Sequence, residues 1–219
     1  MLARTVFTPQ TTARCRPDAG APRLAAKPNS AGPALRCVAL LALLAMAACS
    51  ARFDFREVRT ADYLVALPGK PQTQTRDVDY AGPGGPTKLS MTMTSSGIGP
   101  TLFAVGVVAL PAAAVAPEQV DTTAAWFREA LLRNARGKLI AAQPVSVAAP
   151  AGRTLRLAQA VRAQGETPKG GMAGQASGAV VAARFIVVDD RLYQVVALGA
   201  EAELTPAVLD TFFDSFRLL

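Results

Sequence analysis

Apolar and polar positions along this chain follow two periods. Residues 63–67 form a short apolar run closed by Pro68 and Gly69, which predicts a strand followed by a turn. Residues 72–80 alternate around Val78 and Tyr80. Pro83, Gly84, Gly85 and Pro86 mark a turn. From 87 to 94, Leu89, Met91 and Met93 alternate with Lys88, Ser90 and Thr92, the pattern of a strand with one wet face. Residues 102–110 are nearly all apolar and suit a central strand. The period then changes. After the linker at 111–117, Trp126, Phe127, Ala130 and Leu131 make a helical stripe, with Asp121 expected as N-cap and Gly137 as the C′ stop. Strands are expected again at 139–147, 154–161, 179–188 and 192–198, with Asp189, Asp190 and Arg191 forming a hairpin. Residues 164–178 carry five glycines and a proline and are expected to be a long loop. Thr205 and Pro206 then open a last helix, in which Leu209, Phe212, Phe213 and Phe216 share one face. Four strands, a helix, four strands and a helix, joined by short turns, predict an α+β fold. Its sheet would be mainly antiparallel and covered by helices.

The first fifty residues have a different character. Arg36 leads into an apolar run that ends in Met46, Ala47, Ala48 and Cys49. A basic residue, an apolar stretch of this length and small residues at its end form an export signal. The run is shorter than the roughly 18 apolar residues that a membrane-spanning helix needs. Its end resembles the lipobox of bacterial lipoproteins, with Met46 in place of the usual leucine. By that resemblance Cys49 carries the lipid, palmitate included, and becomes the mature N-terminus. The expected organisation is an N-terminal extension at 1–34, either disordered or, if translation starts nearer Leu24, mis-assigned. A signal peptide follows at 35–48, then the lipidated cysteine and a tether at 49–61, and one domain at 62–219.

This division changes what the composition means. The chain is 219 residues long, with a formal charge of +7, three cysteines and no histidine. Six basic side chains and one acidic one fall in residues 1–48, so +5 of the charge belongs to the leader and only +2 to the rest. Basicity is therefore no argument for nucleic acid, and none is expected as a partner. Cys15 and Cys37 also lie in the leader, so the expected domain contains no cysteine. Without histidine there is no Ser-His-Asp or Cys-His relay and no imidazole acid or base.

Several segments of the domain resemble the PsbP-like superfamily, which includes the DcrB- and LpqN-like lipoproteins. They are Tyr63 with Leu67, Pro68, Gly69, Lys70 and Pro71; residues 152–156; residues 191–195; and residues 212–218. The resemblance implies an α/β/α sandwich around an antiparallel sheet, and members that bind or assemble rather than catalyse.

Candidate chemistry within the domain is sparse. Gly165 to Gly171 resembles a phosphate loop only loosely, because the G-x-x-x-x-G-K-[ST] spacing is not met. Asp77 with Asp79, and Asp189 with Asp190, could each contribute to a hard-cation site but lack the spaced oxygen ligands, so no metal and no cofactor is expected. Trp126 with Phe127, and Phe212, Phe213 and Phe216, read as core, as do Met91 and Met93. Tyr193 is expected to be buried. Arg153 and Arg156 are expected on opposite faces of a strand, with Arg162 nearby. The expectation is a non-enzymatic, membrane-anchored envelope lipoprotein on the periplasmic face of the outer membrane. It would bind an envelope protein partner or, alternatively, carry a small apolar ligand in the periplasm.

Overall fold

The structure, a computed structural model, describes residues 53–165 and 178–219. The expected lipobox with Cys49, the expected signal peptide and most of the glycine-rich segment lie outside the described residues. Among those described, the strands are β1 (Phe55–Arg59), β2 (Tyr63–Pro68), β3 (Gln72–Tyr80), β4 (Thr87–Ile98), β5 (Thr101–Ala109), β6 (Lys138–Pro144), β7 (Leu155–Gly165), β8 (Ala179–Val188), β9 (Arg191–Ala200) and β10 (Arg217–Leu218). The helices are α1 (Val120–Asn134) and α2 (Pro206–Ser215), with a 3-10 turn at Ala112–Val115. The main sheet has seven strands in the order β3-β4-β5-β9-β8-β7-β6, and all its pairings are antiparallel. A second sheet, in the order β1-β2-β10, lies apart from it. The class is α+β, as the pattern predicts.

The central strands β5, β8 and β9 are mostly apolar because both of their faces are covered. On one face, Phe127 and Val120 of α1 pack with Met91, Val161, Val181, Phe185 and Leu192. On the other, Phe212 and Phe213 of α2 share a core with Tyr63, Val65 and Leu67 of β2 and with Phe103, Val105, Ile186 and Tyr193. One helix lies on each face. The second layer is not helix alone, because the three-stranded sheet fills it beside α2.

The domain also starts earlier than residue 62. Phe53 is 6% exposed and stacks edge-on against Phe103 with ring centroids 5.3 Å apart. Phe55 pairs with Pro68 and Arg59 with Leu64 in an antiparallel ladder. The expected tether at 49–61 therefore contains a strand. Short, charged β1 (Phe-Arg-Glu-Val-Arg by type) carries too little alternation to stand out alone, and it is ordered by pairing with β2.

Two helix ends differ from expectation by a residue or two. Helix α1 is preceded by Gln119, which makes no side-chain cap, and Asp121 lies inside the first turn, where a negative charge favours the helix dipole. At the other end Arg136 takes the left-handed conformation (φ 46°), donating to the Arg133 carbonyl, and Gly137 donates to the Leu132 carbonyl. That is a Schellman stop with arginine at C′ and glycine one place later. Glycine is still favoured there, since a Cβ on Gly137 would lie 3.3 Å from both the Gln164 carbonyl and the Leu132 side chain. Helix α2 starts as expected, with the Thr205 side chain accepting from the Val208 amide and Pro206 in the first turn.

Candidate functional site

Most of the residues singled out by type have structural partners. Asp77 and Asp79 share the wet face of β3, opposite Ser90 and Lys88 of β4. Asp79 and Lys88 are 3.5 Å apart and well exposed, so their pairing contributes no more than about 1 kcal/mol. Asp189 sits in the β8–β9 turn with φ 53°, a conformation that aspartate tolerates better than most residues. Its carboxylate accepts from the Thr154 amide at 2.8 Å and from Arg153 Nε at 2.6 Å. Those two contacts, the amide first, hold its carboxyl below the usual aspartate range. Among the described residues, no three histidine, cysteine, aspartate or glutamate side chains are grouped to hold a metal ion.

Arg153 and Arg156 converge where the alternation rule separates them. Arg153 precedes β7, so strand periodicity does not apply to it, and Arg156 is the extra residue of a bulge between Leu155 and Leu157. Arg156 Nε donates to the Asp189 carbonyl at 2.9 Å while Arg153 holds the same residue's carboxylate. Together they fasten the start of β7 to the β8–β9 turn. Arg162 stays apart and pairs with Glu201 at 2.9 Å. Tyr193 is fully buried, as expected, and its hydroxyl lacks a hydrogen-bond partner among the described residues. The Arg153 guanidinium lies near that hydroxyl without hydrogen-bond alignment, and the hydroxyl and Asp189 together raise the arginine's pKa.

The two aromatic groups do not meet. Trp126 and Phe127 pack with Tyr80 on the first face, at 4.9 and 5.7 Å from its ring. Phe212, Phe213 and Phe216 belong to the second core. Met91 is buried and Met93 half-buried against the first core.

Two clefts open on the second face, neither signalled by a sequence motif. One, of about 370 Å³, lies between residues 146–150 and the α2–β10 corner. Ile186, Phe213, Phe216 and Leu218 form its apolar side. Arg184 enters from β8, donating to the Phe213 carbonyl (3.1 Å) and to Asp214 (3.2 Å), with its guanidinium 4.9 Å from the Phe213 ring centre. Arg217 lines the same cleft.

The other cleft, of about 380 Å³, lies where the turn before β2 overhangs β4 and β5. Its wall is a ladder of hydroxyls, because Ser90, Thr92 and Thr94 alternate with the buried Leu89, Met91 and half-buried Met93 of β4. The hydroxyls of Thr73 and Thr94 are 3.0 Å apart across the strand pair, as are those of Thr75 and Thr92. Val107 and Ala109 of β5 provide an apolar strip. At the mouth, Arg191 Nη1 donates to Asp62 Oδ1. Tyr63 closes the inner end. Burial pushes its phenol pKa up, and the neighbouring Thr94 side chain partly offsets this.

No family model matches the chain, and no curated protein does. Among solved structures, the fold is similar to the cyanobacterial PsbP protein of Synechocystis, with a TM-score of 0.45 and 11% identity over 78% of this chain and 96% of that one. A protein of unknown function from Pseudomonas aeruginosa is also similar, with a TM-score of 0.28 and 13% identity over 68% of this chain and 85% of the other.

Proposed function

We propose that this chain is a lipid-anchored envelope lipoprotein of the PsbP-like kind, whose domain is a non-catalytic binding or assembly module. The observation that carries the reading is the run from Arg36 to the Met46-Ala47-Ala48-Cys49 lipobox, placed just ahead of the domain. Only residues 50–52 separate Cys49 from Phe53, the first buried side chain among the described residues. At no more than about 3.6 Å per residue, an acylated Cys49 holds that end of the domain within about 14 Å of its lipid. Among the described residues no helix is long and apolar enough to cross a membrane. Acyl chains suffice for attachment, each buried CH₂ contributing about 0.8 kcal/mol. The binding role is supported by the two open clefts and by the structural employment of Asp189, Arg153 and Arg184.

Metabolic labelling with palmitate tests the anchor. Wild-type protein takes up label, globomycin leaves the leader uncleaved, and Cys49→Ser takes up none; unlabelled wild-type protein would reject the reading. Ser50 follows the cysteine in place of the aspartate that retains lipoproteins in the inner membrane, so the protein is assigned to the periplasmic face of the outer membrane. Fractionation wholly with the inner membrane would overturn that assignment.

The Ile186–Phe213–Phe216–Leu218 cleft favours a second reading, a carrier of a small apolar ligand. Its volume falls within the roughly 300–1,000 Å³ of ligand pockets. Native mass spectrometry distinguishes the two: a co-purifying apolar molecule supports the carrier, and a clean apo mass with cross-linked proteins supports the assembly module.

A further inference from the structure

The cleft beside β4 has a chemistry that selects its ligand. Apart from one ion pair, its polar side chains are all hydroxyls, from Thr60, Tyr63, Thr73, Ser90, Thr92 and Thr94. Thr60 is committed to its own turn, donating to the Tyr63 carbonyl and accepting the amides of Asp62 and Tyr63. The others form rows along the strands. A hydroxyl both donates and accepts, so such a row complements a ligand whose own groups do both. Threonine is β-branched and stiff at χ1, and the 3.0 Å cross-strand contacts fix the rows further. Little side-chain entropy remains to be lost on binding.

Charge narrows the class. Arg191 and Asp62, the two charged residues of its lining, neutralise each other, and Asp77, opposite Ser90 on the same face, disfavours an anion. Their contact uses one carboxylate oxygen and one guanidinium nitrogen. The second oxygen and the remaining N–H groups can then accept from and donate to a pair of neighbouring hydroxyls. Val107 and Ala109 offer an apolar strip against which the C–H face of a ring can lie. The cleft, at about 380 Å³, is large enough for a small ligand.

We propose that this cleft binds a neutral saccharide, with Ser90, Thr92 and the Asp62–Arg191 pair contacting its hydroxyls. The proposal rests on the binding-module reading and names the ligand of that module. Saturation-transfer NMR on the full chain, in a zwitterionic detergent that carries no sugar, tests it. The probes are glucose and N-acetylglucosamine, with glucuronate and inorganic phosphate as charged comparisons. Transfer to the ring protons of the neutral sugars is expected, unchanged by added salt because no net charge is recognised. It falls about fivefold in Thr92→Val and in Ser90→Ala, each of which loses one hydrogen bond. Thr92→Val keeps the β-branch that the strand favours, and an unchanged melting temperature certifies its fold. No transfer to either neutral sugar, transfer in both variants equal to that of wild type, or stronger transfer to glucuronate or phosphate would overturn the proposal. Palmitate labelling of Cys49 is untouched by any of these results, so failure of the site and failure of the anchor are separable.

Discussion

Replacing Phe53 by alanine asks whether the segment just after Cys49 is a tether or part of the domain. In a tether the change would be silent. In this structure Phe53 is 6% exposed, with its ring 5.3 Å from Phe103 at 76° and 6.0 Å from Phe55. Phe103 is itself fully buried and meets Phe212 of α2 edge-to-face at 5.0 Å, so Phe53 belongs to a chain of rings joining β1, β5 and α2. A buried Phe→Ala change costs about 3–5 kcal/mol, from lost transfer energy and the cavity left behind. Residue 53 lies outside the β1 ladder, which begins at Phe55, so its neighbours can partly collapse and the cost belongs near the low end, about 3 kcal/mol. For a domain of this size that lowers the melting temperature by roughly 6–12 °C. Urea unfolding followed by Trp126 fluorescence is the assay, because Trp126 packs against Tyr80 and Phe127 on the opposite face of the sheet and reports global unfolding. Arg56→Ala is the control. Its ion pair with Asp54 is largely exposed and contributes no more than about 1 kcal/mol. A Phe53→Ala loss below about 1 kcal/mol, the size of an ordinary surface effect, would refute the claim that β1 folds with the domain.

Three further outcomes follow from local geometry. Asp189→Asn keeps the left-handed turn but removes the charge held by Thr154 and Arg153. The folded carboxyl titrates below its unfolded value, so its stabilisation is complete above about pH 4 and is lost as pH falls through the lower folded value. The stability gap between wild type and variant should therefore narrow from pH 5 to pH 2 in urea titrations; a constant gap would contradict the assignment. Gly199→Ala places a Cβ 2.7 Å from Thr101 Oγ1 and 3.0 Å from its Cγ2, and should cost about 1–3 kcal/mol in the same assay. Ile140→Lys, at a residue 60% exposed on the edge strand β6, should change stability by no more than about 0.5 kcal/mol while reducing self-association in light scattering.

Legibility varied with how local each cause was. Strands β3 and β8 occupy the predicted residues because alternation or a continuous apolar run is written into them. Helix α2 was equally plain, since Thr205, Pro206 and the Leu209–Phe212–Phe213 spacing act within a few residues of one another. Strand β1 was hidden because its order comes from β2, and the two residues of β10 were hidden because they pair with Leu64 and Tyr63, far away in sequence. The convergence of Arg153 and Arg156 was hidden by a bulge, which cancels the two-residue period on which the opposite-face argument depends. Of the hydroxyl cleft, Ser90 and Thr92 were visible as the wet face of β4. Nothing in the chain announced that the turn at 60–62 would overhang them.

From its amino acids alone, this protein is an α+β chain with a mainly antiparallel sheet, two amphipathic helices, most of its net positive charge in residues 1–48, and no histidine. Those properties follow from periodicity and composition, which act over neighbouring residues. The tertiary structure decided which strands lie side by side, that β1, β2 and β10 form a separate sheet over the second face, and that a polar strand face becomes the wall of a cleft. Those outcomes depend on contacts between residues more than a hundred positions apart, such as Asp62 with Arg191 and Ala66 with Ser215, and local pattern carries no record of them.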